Sequence, residues 1–457
     1  MPSPGAYDRA MRKREIFVLG LDDFHRPLLE ELPQARECRF HGLLPMERIR
    51  QGDRLPIAEL VEEAMAELSR FDGPVDAVVG FWDFPINCMV PIISERLGIP
   101  HKPLAGVVAC EHKYWARVVE NWVIPGAIPA FEAVNPFAAD AVSSIGLDYP
   151  FWLKPVMSYS SYLGFHIDGP ETLVTSLETI RNEIGQLAEP FNHVLDMLDL
   201  PPDIAHVRGD WCIAEGIIGG RQCTLEGFVH NGTAKVYGIV DSLRVPGGVS
   251  FASYRYPSDL PEGVQQRMES LACRTVEALG LGESAWNVEC FWDEGADQVW
   301  LLEVNSRLSE SHSDLFSKVD GVSNQAVMLD LALDREPSMP HRAGKYAHAG
   351  KFFVRHVDDA YVERVPSPEE VAAIERDVPD TRILIRARAG QWLHELAYQD
   401  TYSYELAWIH VGGNSVPELE ERYRECAERL RFDFADEGER NAQDLSMPDP
   451  RIREANI

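Results

Sequence analysis

The apolar positions of this chain fall into short continuous runs, and several runs stop abruptly on charged residues. The clearest are EIFVLGLDD (15–23), VDAVVGFWDFP (75–85), FWLKPV (151–156), WCIAEGIIGG (211–220), WNVECFW (286–292) and VWLLEVNSR (299–307). Runs of this length, rich in β-branched and aromatic residues, predict buried strands. Between the first two, residues 57–71 carry apolar side chains at helical spacing, and 91–97 read as the next helix. Strand and helix alternate, which predicts a small parallel α/β domain over roughly residues 15–110.

From Glu111 the pattern changes. A helix ending near Val123 leads into a Pro-rich extended stretch, then the strand with Lys154 and a small-residue loop, MSYSSYLGF. Residues 171–199 read as one or two amphipathic helices, and QCTLEGFVHNGTAKVYGIV reads as a hairpin turning at Asn231-Gly232. A helix over 263–279 precedes the last two acidic runs. After about residue 340, KFFVRHV, TRILIRARAGQ and YELAWIHVGG predict strands and 417–430 a helix.

VWLLEVNSR is the most informative run. In a strand Glu303 and Asn305 share one face, Arg307 follows, and Glu289 sits on the preceding run. Two carboxylates, a carboxamide and a guanidinium suit Mg²⁺ and nucleotide phosphates: the ion takes hard oxygen ligands, and Arg offers phosphate a planar fork. Upstream stand Lys113 opening a helix and Lys154 before Ser158, Ser160, Ser161 and Gly164. Glu215 follows, ending a strand before Gly219 and Gly220.

This order and spacing resemble the ATP-grasp superfamily of carboxylate ligases over roughly residues 15–430, nearest the biotin-carboxylase-like and L-amino-acid-ligase-like branch. The resemblance implies an α/β (α+β ATP-grasp) fold. Its parts would be an N-terminal domain (15–110), an ATP-grasp domain (111–338) with a lid at about 151–225, a C-terminal α+β region (339–435) and a charged tail (436–457). It implies ATP held by Lys113, Lys154, Ser160, Ser161, Glu215, Gly216, Ile218 and Gln222, and Mg²⁺ or Mn²⁺ held by Glu289, Glu303 and Asn305. Arg307 would act on the transferred phosphoryl group and the later oxyanion. Gln222 stands where relatives often carry a ribose-binding glutamate, and Tyr159 and Tyr162 are bulky for a phosphate loop. Arg244, Arg255 and His312 are candidates for substrate contact. The implied reaction converts a carboxylate to an acyl phosphate, which an amine then displaces. Ser311 precedes His312 where the carboxylase pattern has a glutamate, so amide ligation is implied over carboxylation. A bicarbonate-using enzyme and a nucleotide-binding protein without turnover are the alternatives.

Charge narrows the partners. The 457 residues carry 73 acidic and 43 basic side chains, net −30, which disfavours nucleic acid and anionic membranes. The N-terminal segment has no apolar core, and no run approaches the ~18 apolar residues of a span. Eight scattered cysteines without metal spacing fit reduced thiols. The expectation is a cytoplasmic enzyme acting on small molecules, and the resemblance implies a homodimer.

Overall fold

The computed structural model describes residues 12–50, 55–158, 162–245, 250–396 and 403–435. The expected Ser160 and Ser161, with Tyr159 and the tail 436–457, lie outside the described residues. The chain divides into two compact units. The first takes the chain through Val240, with Ser258–Ser313 and Val322–His341; the second takes Asp241–Pro257, Asp314–Gly321 and Arg342 onward.

In the first unit, β1 (Arg14–Leu19) runs parallel between β2 (Cys38–Leu43) and β3 (Ala77–Val79). The helix Ile57–Ser69 buries Ile57, Leu60, Val61, Ala64 and Leu68 at helical spacing, as the pattern predicts. The next helix spans Ile86–Leu97, not 91–97: Pro91 lies inside it, and the buried residues before it, Ile86 to Val90, already follow the helical course. β2 was not expected, because its polar middle breaks any apolar run.

A second, antiparallel sheet combines β4 (Phe131–Val134), β5 (Phe151–Pro155), β6 (Phe165–Ile167) and β7 (Cys212–Gly216) in the order β4-β7-β5-β6. Leu173, Leu177 and Ile180 of the helix Pro170–Glu183 close its core with Phe151, Leu153 and Ile167. β8 (Arg221–His230) and β9 (Thr233–Arg244) form the expected hairpin, and Asn231 and Gly232 both have positive φ, 51° and 73°. The end of β9 and all of β10 (Phe251–Tyr256) belong to the second unit. β11 (Ser284–Asp293) lies between β8 and β12 (Gln298–Asn305), antiparallel to both. The helix Glu262–Ala278 covers this layer through Val264, Met268, Ala272 and Val276.

The second unit orders the end of β9, then β10, β13 (His348–His356), β15 (Tyr404–Gly413) and β14 (Arg382–Ile385), all antiparallel. Leu419 and Cys426 of the helix Val416–Arg429 pack on Ile409 and Val411. Among the described residues no helix is long and apolar enough to cross a membrane.

Candidate nucleotide and metal site

Strand pairing places the two acidic runs against each other. Glu289 on β11 is directly opposite Glu303 on β12, and Asn287 is opposite Asn305. A register shift follows at once, because Cys290 pairs with Leu301 and leaves Leu302 as the extra residue of a β-bulge. The bulge frees the Leu302 carbonyl, which accepts from Arg117 Nη2 at 2.6 Å.

Lys113 is the first residue of the helix Lys113–Val123. A cation there opposes the positive end of the helix dipole, and Glu303 compensates: Lys113 Nζ donates to Glu303 Oε1 at 2.8 Å and to Ser158 O at 2.7 Å. Burial works against the Glu303 charge, yet Lys113, then Lys154, hold its carboxyl below the ordinary range. His112 caps this helix. Its Nδ1 accepts from Trp115 N at 3.2 Å, so its Nε2 is the donor to Val207 O at 2.9 Å. Burial lowers this imidazole to about 4, consistent with a neutral structural ring.

The strand pair β5–β7 brings Lys154 beside Glu215, with Nζ 2.5 Å from Oε2. Arg117 Nε lies 2.5 Å from Glu215 Oε1, and Arg117 Nη1 also pairs with the fully buried Glu120. Burial would raise the Glu215 carboxyl, but Arg117 and Lys154 together outweigh it and set it at about 2. The Glu215 side chain is therefore committed to two cations. Next to it in the chain, Gly216 and Ile218 are half-buried and Ile217 is exposed. The turn into β8 needs Gly220, where φ is +123° and a Cβ would meet Trp292 O at 2.2 Å.

Gln222 donates from Nε2 to Glu289 Oε2 at 2.8 Å. Asn305 Nδ2 donates to Asn287 Oδ1 at 3.0 Å, and Asn287 Nδ2 donates to Arg307 O at 2.9 Å. Arg307 directs Nε and Nη2 to Asp83 Oδ1, each at 2.5 Å. Lys102 Nζ holds the neighbouring Ser306 O at 2.6 Å. Lys113, Lys154, Glu215, Gln222, Glu289, Glu303, Asn305 and Arg307 thus belong to one unit and are linked by direct contacts, by strand pairing or through Arg117 and Asn287.

The substrate candidates are placed differently. His312 is buried, with Nδ1 2.8 Å from Glu226 Oε1. Ser311 Oγ donates to Glu310 Oε1 at 2.9 Å, and Glu310 Oε2 lies 3.2 Å from His25 Nε2. Arg255 and Arg244 belong to the second unit; Arg255 pairs with Glu420 at 2.9 Å, and Arg244 lies over the Phe251 ring. Tyr162 donates to Glu183 at 3.3 Å. The sequence pattern does not single out Arg117, Glu120, Lys102, Asn87, Glu111 or Asp83. One signal was available: Lys113, Arg117 and Glu120 recur at i, i+4 and i+7, one helix face.

The donor set fits a divalent ion of a particular kind. Among the described residues no group of three or more His, Cys, Asp or Glu side chains is placed to hold a metal ion by itself. Two paired carboxylates and a carboxamide are an open set of hard oxygens, which suits an ion that keeps phosphate and water ligands.

No protein-family profile matches the chain. It is 28% identical over 102 residues to the D-alanine–D-alanine ligase of Bordetella avium (strain 197N), covering 21% of this chain and 32% of the ligase. It is 25% identical over 225 residues to that of Bordetella petrii, covering 46% of this chain and 60% of the ligase. The chain thus spans less than two thirds of either relative. Among solved structures, it resembles an L-amino acid ligase from Bacillus licheniformis with TM-score 0.71 and 17% identity, covering 93% of this chain and 100% of that one. Biotin carboxylase from Campylobacter jejuni gives 0.61 and 13%, covering 93% of each chain. N5-carboxyaminoimidazole synthase from Aspergillus clavatus, in complex with ADP, gives 0.59 and 14%, covering 92% and 98%. The chain therefore shares the fold of these solved structures, in the α/β class its sequence implied.

Proposed function

We propose that this protein is an ATP- and Mg²⁺-dependent carboxylate–amine ligase that forms an amide through an acyl phosphate and releases ADP and phosphate. One observation carries the reading: Glu289 and Glu303 stand opposite each other at a bulge, with Asn305 ending the same strand, Arg307 just beyond it and Lys113 bonded to Glu303. Lys113 and Lys154 would bracket the phosphates, and the backbone of Gly216 to Ile218 would read the base. Glu289, Glu303 and Asn305 would hold Mg²⁺ or Mn²⁺, which supplies charge neutralisation on the transferred phosphoryl group. Gln222 would reach the ribose only by sharing its contact with Glu289. Arg307, pre-set by Asp83, would turn to the oxyanion that develops on the acyl carbon. Neighbours solved with ATP or ADP, one with MgADP, support the nucleotide and the ion. A ligase of this kind is a cytoplasmic enzyme in this reading, and a neighbour described as a domain dimer favours a homodimer.

The ligase reading is favoured over bicarbonate chemistry because His312 and Glu310 are both occupied, by Glu226 and by Ser311 and His25. A panel of amino-acid and other carboxylate–amine pairs, assayed for ADP and phosphate release, tests it. At least one pair is expected to stimulate turnover. Tight ATP binding without turnover across the panel would replace it with a non-catalytic nucleotide-binding role.

A further inference from the structure

Beside Arg307 lies a set of acceptors that neither the nucleotide nor the metal uses. Asp83 precedes the helix Ile86–Leu97, Asn87 stands in its first turn, and Glu111 ends the helix Leu104–Glu111. Asn87 Nδ2 donates to Glu111 Oε1 at 2.5 Å. Asn87 is fully buried, and its Oδ1 has no partner among the described residues. Leaving such a buried oxygen without a donor is unfavourable, so a donor arriving with a ligand would explain it. Asp83 spends Oδ1 on Arg307, and among the described residues Asp83 Oδ2 and Glu111 Oε2 receive no bond.

The nearby cations are already engaged: Arg307 with Asp83, Lys102 with Ser306 O, Lys113 with Glu303 and Ser158 O. The oxygens of this set left without a partner, Asn87 Oδ1, Asp83 Oδ2 and Glu111 Oε2, are all acceptors. A further anion would meet carboxylates, and an apolar group would leave the Asn87 oxygen unpaired. An ammonium group brings three N–H donors and the opposite charge.

We propose that Asp83, Asn87 and Glu111 form the subsite for the ammonium group of the amine substrate, and that Glu111 accepts the proton this group must lose before it attacks. This rests on the ligase reading above. Atoms and charge balance. The R–NH₃⁺ proton passes to the Glu111 carboxylate, and the freed nitrogen lone pair forms the C–N bond at the acyl phosphate. The C–O bond to phosphate then breaks, and the second nitrogen proton leaves with phosphate. Glu111 suits this role, because burial first, then Asp83 and Glu303, raise its carboxyl to about 7 against the pull of Lys113 and Arg307. Lys102, lowered to about 8 chiefly by burial, adds a further charge to the same surroundings.

Hydroxylamine separates the two steps, because it is neutral at pH 7.5 and needs no base. The carboxylate and amino acid most active in the ADP-release panel serve as the other probes. Glu111→Gln is expected to lower kcat/KM for the amino acid about 100-fold or more, with hydroxamate formation from the same carboxylate falling far less. Asn87→Leu is expected to raise KM for the amino acid more than it lowers kcat, and it carries the test if Glu111→Gln fails to fold. Equal losses with both nucleophiles, or no loss with either, would overturn the proposal. A wild-type enzyme that makes no hydroxamate from any carboxylate would instead remove the ligase reading itself, and this subsite with it.

Discussion

Two helices of the first unit obey opposite rules. Ile57–Ser69 buries Ile57, Leu60, Val61, Ala64 and Leu68 and exposes its glutamates. Lys113–Val123 buries Lys113, Ala116, Arg117 and Glu120, and leaves Trp122 85% exposed. The first helix is held by apolar area removed from water, about 25 cal/mol per Å². The second turns a charged face inward, where burying ions is unfavourable unless each finds a partner. Partners are present: Glu303 for Lys113, Glu215 and the Leu302 carbonyl for Arg117, Arg117 for Glu120. A helix that spends its buried face on charge is positioning charge, and this one bonds to β7 through Glu215 and to β12 through Glu303 and the Leu302 carbonyl.

The contrast can be broken in several ways. The largest effect should fall on turnover. Glu303→Gln removes one carboxylate of the facing pair and the partner of Lys113, and should cost at least about 1000-fold in ADP release, with circular dichroism unchanged. Next come stabilities. Arg117→Met strips the buried Glu215 and Glu120 of their shared cation and should cost about 3–5 kcal/mol in denaturant unfolding. Leu60→Ala on the ordinary helix should cost about 2–5 kcal/mol by leaving a cavity, so the two helices would be stabilised to a similar degree by different means. If Arg117→Met were neutral, the charged face would be incidental.

A smaller effect concerns pH. The Glu111 carboxyl, raised to about 7 from its ordinary 4.5, keeps a proton in the folded protein that the unfolded chain has already released. Its contribution to stability is therefore whole below about pH 4.5 and lost as pH rises through about 7. Glu111→Gln, which cannot ionise, should raise Tm more at pH 8 than at pH 5; an equal shift at both would contradict the burial-driven rise. Smallest of all, Trp122→Ala should move stability by about 0.5 kcal/mol or less, since that ring is in solvent.

The same contrast marks what the sequence could reveal. Where apolar side chains do the packing, periodicity located the elements: Ile57–Ser69, the β8–β9 hairpin and the acidic pair β11–β12 all stand close to where the pattern put them. Glu303 and Asn305 were visible because strand alternation puts them on one face beyond an apolar run. Arg117 and Glu120 were not, because charge at helical spacing ordinarily means a solvated face. Asp83 and Asn87 come from a turn and the first helical turn after it, and Glu111 from a helix end. Only the fold brings them near Arg307, so no local spacing encodes them. β2 and β10 were missed because polar residues interrupt them and partner strands, not their own pattern, make them strands.

If Arg307 and the Glu289–Glu303 pair serve an acyl phosphate, one oxygen of the substrate carboxylate leaves with the phosphate. The most direct test supplies the active carboxylate labelled with ¹⁸O and follows the label after amide formation. The account predicts one labelled oxygen in the released phosphate for each amide formed. Amide formation with no label in phosphate would contradict it.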